Sequence, residues 1–160
     1  MNKLEQIAHF LISNNLTIAT TESCTGGLLS SKLTDISGSS AFIHLNFVTY
    51  SNEAKQKILG VKKETLDNFG AVSEECAYEM ALGLNKVTGA DICVSTTGIA
   101  GPTGGSEEKP VGLMYSTIYT KNKSVTYQIL LPSTYERIEM KDKFANSVLE
   151  KLYDFLLQMS

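Results

Sequence analysis

Arginine is almost missing from this chain: Arg137 is the only one. A cluster of guanidinium groups gripping phosphate or carboxylate in bidentate pairs is therefore not its main device. Histidine is nearly as scarce, with only His9 and His44. His9 falls near the polar face of a helix-like segment and His44 within a strand-like one. Neither sits in a loop at a strand end, so a Ser-His-Asp site has no base to draw on. Two scattered histidines without a CxxC pair also leave no ligand set for zinc, and no metal is expected. The three cysteines, Cys24, Cys76 and Cys93, are widely spaced and odd in number. That pattern fits a reducing compartment rather than a disulfide framework. There is no basic block and the net charge is −3, so nucleic acid is not favoured as a partner. No apolar run is long enough for a membrane span, and the charged start Met1-Asn2-Lys3-Leu4-Glu5 is not that of a signal peptide. The expectation is a cytoplasmic protein without membrane partners, its 160 residues forming one domain, 1–160, with a substantial core.

What is present alternates between two periods. Leu4, Ile7, Ala8, Leu11 and Ile12 have helical spacing and predict an amphipathic helix over about residues 2–14. Leu16-Thr17-Ile18-Ala19 reads as a buried strand, followed by a turn and a helix from about Thr25 to Asp35. The aromatic and branched run from Phe42 to Tyr50 predicts a second strand. Ser51 is placed to cap a helix ending at Gly60, a short helix runs from Lys63 to Phe69, and Ser73 caps a longer one with Cys76, Ala77, Met80, Ala81 and Leu84 inward. Ile92-Cys93-Val94 is a third strand. Val111 to Thr120 and Val125 to Leu131 predict a hairpin about Lys121-Asn122-Lys123. Ser133 to Glu136 reads as a capping box opening a last helix with Ile138, Ala145, Val148, Leu149, Leu152, Phe155 and Leu156 inward. The fold class is α/β, a three-layer α/β/α sandwich with a mixed, mostly parallel sheet.

Two glycine-rich stretches follow buried strands. The first is Thr20-Thr21-Glu22-Ser23-Cys24-Thr25-Gly26-Gly27, and the second runs from Thr97 through Gly98, Ile99, Ala100 and Gly101 to Gly104 and Gly105. Strand-to-helix turns at the carboxyl ends of strands are where open α/β sheets bind ligands. Neither stretch has the dinucleotide or P-loop spacing, so no cofactor is implied. Ser23 could attack an acyl carbon while nearby N–H groups hold the oxyanion. The simpler reading is a turn in which Ser23 or Thr25 caps the next helix. Lys55 falls in the first turn of a helix just after Tyr50. A helix dipole and burial together would favour its neutral amine, which could take the Ser23 proton, with Tyr50 orienting it or relaying a proton. Its simpler reading is a solvated surface lysine. Cys24 competes as nucleophile, since a helix start lowers a thiol pKa, or else packs as a small apolar group.

These stretches resemble the CinA carboxy-terminal domain family, the PncC-type nicotinamide-nucleotide amidohydrolases. The resemblance rests on Thr21-Glu22-Ser23-Cys24-Thr25-Gly26-Gly27, on Phe47-Val48-Thr49-Tyr50-Ser51-Asn52-Glu53-Ala54-Lys55, on Gly70-Ala71-Val72-Ser73, and on Thr97-Gly98-Ile99-Ala100-Gly101-Pro102 through Gly112. It implies deamidation of nicotinamide mononucleotide to nicotinate mononucleotide and ammonia, without metal or cofactor, by a homodimer or larger assembly. It implies catalytic roles for Ser23, Lys55 and Tyr50. Substrate contacts are expected from Cys24, Thr25, Gly26 and Gly27, from Thr97, Gly98, Ile99, Ala100, Gly101, Gly104 and Gly105, and from Arg137. The chain departs from the family pattern in two places. Leu45-Asn46 stand where two glycines are common, and Ser133-Thr134-Tyr135 and Glu139 stand where further arginines are usual. The second departure motivates an alternative, a weak or inactive nucleotide-binding or regulatory domain.

Overall fold

A computed structural model describes residues 1–159. The first helix, α1 (Lys3–Ser13), opens on a capping box between Asn2 and Glu5 and buries Ile7, Ala8 and Leu11. Ile12, expected inward, lies at the margin and is exposed. Strand β1 (Ile18–Glu22) is buried along its whole length and runs further than its apolar residues alone suggest. Thr20, Thr21 and Glu22 continue the strand into the interior because their side chains find polar partners there, as with the 2.8 Å bond between the Thr21 and Thr49 hydroxyls.

Helix α2 (Leu28–Leu33) follows the first glycine-rich turn and starts later than Thr25. The predicted strand from Phe42 to Tyr50 shrinks to β2 (Phe47–Val48), preceded by a 3-10 turn at Ser39–Ala41. Phe42 is a core plug instead, fully buried, and its carbonyl accepts from Ile18 N–H at 2.8 Å. Asn46 breaks the strand productively. Its side-chain oxygen accepts from Thr20 N–H (3.0 Å) and its amide donates to Ser30 Oγ (2.7 Å), so a side chain satisfies β1 where strand backbone is missing. Neither Leu45 nor Asn46 needs positive φ; among the described non-glycine residues Asn15 alone has it.

Helices α3 (Asn52–Leu59), α4 (Lys63–Phe69) and α5 (Glu74–Thr88) come next. Ser51 caps α3 by accepting from Ala54 N–H, and Ser73 caps α5 by accepting from Cys76 N–H, as their sequences predict. The five apolar positions predicted for α5 are all buried. Strand β3 (Ile92–Gly98) extends through Ser95, Thr96 and Thr97, again beyond its apolar start. The hairpin β4 (Leu113–Tyr119) and β5 (Ser124–Leu130) turns where Thr120 N–H and Lys123 O close a 2.8 Å bond. Helix α6 (Arg137–Met159) begins after the Ser133–Glu136 stretch. Ile138, expected inward, is 84% exposed because it stands on the first turn, before the helix meets the core at Met140.

The sheet order is β2-β1-β3-β4-β5. Strands β2, β1 and β3 are parallel, whereas β4 is antiparallel to both β3 and β5. Helices α1, α2 and α6 cover one face around Leu29, Phe144, Leu152 and Phe155; α3, α4 and α5 cover the other around Leu59, Met80 and Leu84. Each such side chain withdrawn from water stabilises the fold by roughly 1.5–3 kcal/mol. Because β1 and β3 are parallel neighbours, both glycine-rich turns leave the same edge of the sheet. β2 brings the start of α3 to that edge as well.

The packing of α3 on α5 depends on Gly83, where an added methyl would stand 1.9 Å from the Leu59 carbonyl oxygen. Alanine is normally the better helix residue by about 1 kcal/mol. Here the sign should reverse: Gly83→Ala is expected to lower the unfolding free energy by about 1–3 kcal/mol in urea titrations. Unchanged or increased stability would contradict this packing of the two helices.

Candidate active site

Strand β1 delivers Ser23 still anchored to the sheet, its N–H donating to Thr96 O at 3.1 Å. The chain then turns within four residues. Gly26 N–H donates to Ser23 O at 3.0 Å, and Gly26 and Gly27 take φ of 59° and 99°. Gly27 occupies the N-cap position of α2 and offers no side-chain bond, so neither Ser23 nor Thr25 caps that helix. The capping group is the Glu22 carboxylate, which accepts from Leu29 N–H (2.8 Å) and Ser30 N–H (3.0 Å). Thr25 spends its hydroxyl on Glu22 and Thr96.

Lys55 meets this turn from α3. Its backbone belongs to the first turn of that helix, its N–H donating to Ser51 O. Its side chain is 1% exposed and runs inward, so the solvated reading is wrong. The Nζ lies 3.2 Å from Ser23 Oγ, 3.0 Å from Thr49 O and 2.9 Å from Tyr50 O. No carboxylate forms an ion pair with it among the described residues. A neutral amine has two N–H bonds and one lone pair. In this geometry Nζ donates to Ser23 Oγ and the Ser23 hydroxyl, 8% exposed, donates to Tyr50 O at 3.3 Å; were the amine neutral, the carbonyls of Thr49 and Tyr50 could take both its N–H bonds, and a rotation of the hydroxyl would bring its proton to the lone pair. Burial pushes the Lys55 pKa below its ordinary value. Thiolates at Cys76 and Cys24 would pull it back up, but burial raises those thiols to about 11 and about 12, so both are neutral at pH 7.

That result also corrects the expectation for Cys24. Proximity to a helix start would lower its pKa, yet desolvation outweighs this, and the thiol packs as a small buried group. Tyr50 needs a correction too. Its phenol does not touch Lys55; the residue is 58% exposed, and its hydroxyl accepts from Arg137 Nη2 at 2.9 Å. What Tyr50 gives Lys55 and Ser23 is its backbone carbonyl. Thr97 also points elsewhere, donating to Ala71 O at 2.7 Å, while the preceding hydroxyl, Thr96, faces the turn. A strand alternates its side chains, and a motif cannot tell which of two adjacent threonines faces the site. The residues that sequence reasoning passed over are Glu22, Thr49 and Thr96. A buried polar strand end was their only signal.

A pocket of about 500 Å³ opens at Cys24, the residue after Ser23, and is lined also by Tyr50, Gly98, Ile99, Ala100, Gly101, Pro102, Thr103, Gly104 and Arg137. Arg137 bridges two of its lining residues, donating from Nη1 to Gly101 O at 2.6 Å and from Nη2 to the Tyr50 hydroxyl. Gly105 lines an adjoining recess, and Thr25, Gly26 and Gly27 line another beneath Ile138 and Lys141. Among the described residues, no acceptor is bonded to the N–H groups of Cys24, Thr25, Ala100, Gly101 or Gly104. The N–H groups of Ser23 and Ile99 are already used. Some glycines serve packing rather than ligand approach: a methyl at Gly98 would lie 2.7 Å from Leu113 O, and one at Gly101 would lie 2.5 Å from a Val111 methyl.

The profile of the CinA C-terminal domain matches residues 2–156. A putative competence-damage inducible protein of Clostridium tetani is 52% identical over 146 residues, 91% of this chain and 35% of that protein. A CinA-like protein of Chloroherpeton thalassium is 49% identical over 154 residues, 95% of this chain and 37% of its own length. The chain thus spans about a third of the length of these relatives. Among solved structures, the competence damage-inducible protein A of Klebsiella pneumoniae superposes with a TM-score of 0.92 at 32% identity over the whole of both chains. The competence/damage inducible protein CihA of Agrobacterium tumefaciens gives 0.87 at 41% identity, covering 95% and 94% of the two chains.

The buried, neutral state of Cys24 predicts that native protein at pH 8 resists iodoacetamide at this position while urea-unfolded protein is alkylated. Peptide mass spectrometry reads the difference. Rapid alkylation of native Cys24 would contradict the assignment.

Proposed function

Since the chain belongs to the CinA C-terminal domain family, we propose that it is a serine–lysine amidohydrolase that deamidates nicotinamide mononucleotide. The observation that carries this reading is the 3.2 Å contact between Ser23 Oγ and a buried Lys55 Nζ with no acidic partner among the described residues. A buried amine beside a hydroxyl is the arrangement in which lysine can work as a general base near neutral pH.

The chemistry runs in two halves. The neutral Lys55 amine takes the Ser23 proton as Oγ bonds to the carboxamide carbon. The oxyanion is held by backbone N–H groups, for which Cys24 and Thr25 are the free donors of the turn. The C–N bond then breaks, and the Lys55 ammonium gives its proton to the departing nitrogen, which leaves as ammonia. Water attacks the Ser23 ester with Lys55 again as base, Lys55 returns that proton to Ser23 Oγ as the C–O bond breaks, and the acid product gives its remaining proton to solvent and leaves as the carboxylate. The pocket volume of about 500 Å³ falls within the range of small-molecule sites. Arg137 and the open N–H groups of the Ala100–Gly104 loop suit an anionic phosphate. With a single arginine in reach, phosphate affinity is expected to rest largely on that loop. Assembly as a homodimer or larger, with no nucleic acid or membrane partner, belongs to the same proposal.

The test is incubation with nicotinamide mononucleotide, following ammonia and nicotinate mononucleotide together. Matched release is expected from the wild-type protein, no release from Ser23→Ala, and a loss of about 10²–10⁴-fold in kcat for Lys55→Ala. A folded wild-type protein that binds the nucleotide without turnover would favour the regulatory-domain alternative. The pH profile has a definite sign. The base must be unprotonated, so kcat/KM should rise with pH through the Lys55 pKa. Because burial lowers that pKa, the midpoint of the rise should fall below that of a surface lysine. A profile that climbs only above pH 10 would remove Lys55 as the base.

A further inference from the structure

Glu22 sits at the end of β1, one residue before the nucleophile, and is 0% exposed. Its carboxylate makes no ion pair among the described residues. It accepts four hydrogen bonds instead. Oε1 takes Thr25 Oγ at 2.7 Å and Leu29 N–H at 2.8 Å; Oε2 takes Ser30 N–H at 3.0 Å and Thr20 Oγ at 3.4 Å. Four is about the full acceptor capacity of a carboxylate. The donors come from three places: the strand before the turn, the middle of the turn, and the first turn of the helix after it. Burying an anion without a cation is costly, and a simple cap would not require it, because an asparagine or serine at the N-cap position serves at the surface.

We propose that Glu22 is a positioning residue for the Ser23 turn: one carboxylate ties both ends of the turn and its Thr25 to a single point, fixing Ser23 Oγ against Lys55 Nζ and aiming the Cys24 and Thr25 N–H groups at the reacting carbonyl. The proposal rests on the reading of Ser23 as nucleophile. It explains why Gly27 can occupy the N-cap position with no capping side chain. It also explains why the turn holds together although the Ser23 N–H is its only backbone bond to β3. Glutamine at this position keeps shape and volume but not function. Its single oxygen can serve at most one of the two donor pairs, and its amide N–H bonds would face the other pair, so the turn must shift.

The experiment compares Glu22→Gln with wild type by three readings: thermal melting, kcat and KM for nicotinamide mononucleotide, and the rate at which a small fluorophosphonate labels Ser23, followed by intact mass. A misplacement of about 1 Å costs on the order of a hundredfold in rate. The expected result is a folded variant with kcat and labelling rate both about a hundredfold lower and KM changed less than about threefold. A residue with only a stabilising role would lower the melting temperature and leave the labelling rate of the folded protein intact, and that outcome overturns the proposal. If Glu22→Gln does not fold, Thr25→Val removes the shortest donor, and about tenfold slower labelling is expected by the loss of one hydrogen bond to a charged group. Unchanged labelling overturns the proposal here too. Wild-type protein that labels at Ser23 but spares the nucleotide refutes the substrate alone, and the labelling comparison still decides the role of Glu22. Wild-type protein that does neither refutes the nucleophile, and the positioning role with it.

Discussion

A lysine amine buried against two carbonyl oxygens and a serine hydroxyl is the constraint on which the rest of this architecture turns. An ammonium there would be desolvated without a counter-ion, and only neutral oxygens, the carbonyls of Thr49 and Tyr50 and the Ser23 hydroxyl, would offset it. A neutral amine fits the same partners with its lone pair directed at Ser23. Burial and the absence of a carboxylate partner among the described residues disfavour the ammonium form of Lys55.

Several features exist to hold that geometry. Strand β2 need be only two residues long, because its task is to carry Thr49 and Tyr50 past the end of β1; the Thr49 N–H is fixed by Glu22 O at 2.8 Å. Helix α3, which carries Lys55, approaches α5 so closely that Gly83 has no room for a methyl. At the start of α6, Arg137 bridges the Tyr50 hydroxyl and the Gly101 carbonyl along the pocket wall. The buried hydroxyls of Thr20 and Thr96 give Glu22 and the turn partners that an apolar core would not.

Much of this was legible in the residues. The apolar face of α5, its Ser73 cap and the hairpin followed from periodicity and turn chemistry, because those elements bury one face against the sheet. Ser23 and Lys55 each had an ordinary structural alternative in the residues alone, and it was the resemblance of the turn and of residues 47–55 to a known family that paired them. The length of β2 was not legible: Phe42 to Tyr50 has strand-like composition, but Phe42 is taken by the core and Asn46 replaces backbone pairing with its side chain. The directions of Thr96 and Thr97 were hidden because adjacent strand residues are equivalent in composition and opposite in orientation. Glu22 was hidden for a different reason: a carboxylate in a polar motif suggests solvent, and only the donors gathered from three elements make its burial tolerable.

The central claim is that Lys55 is held neutral beside Ser23, and titration of the lysine side chains by carbon–nitrogen NMR tests it most directly. Comparison with Lys55→Met identifies the resonance. The account predicts one lysine whose Nζ signal titrates below the envelope of the other twelve, shifted downward by burial. A Lys55 signal that moves with the surface lysines, near their ordinary pKa, would contradict it.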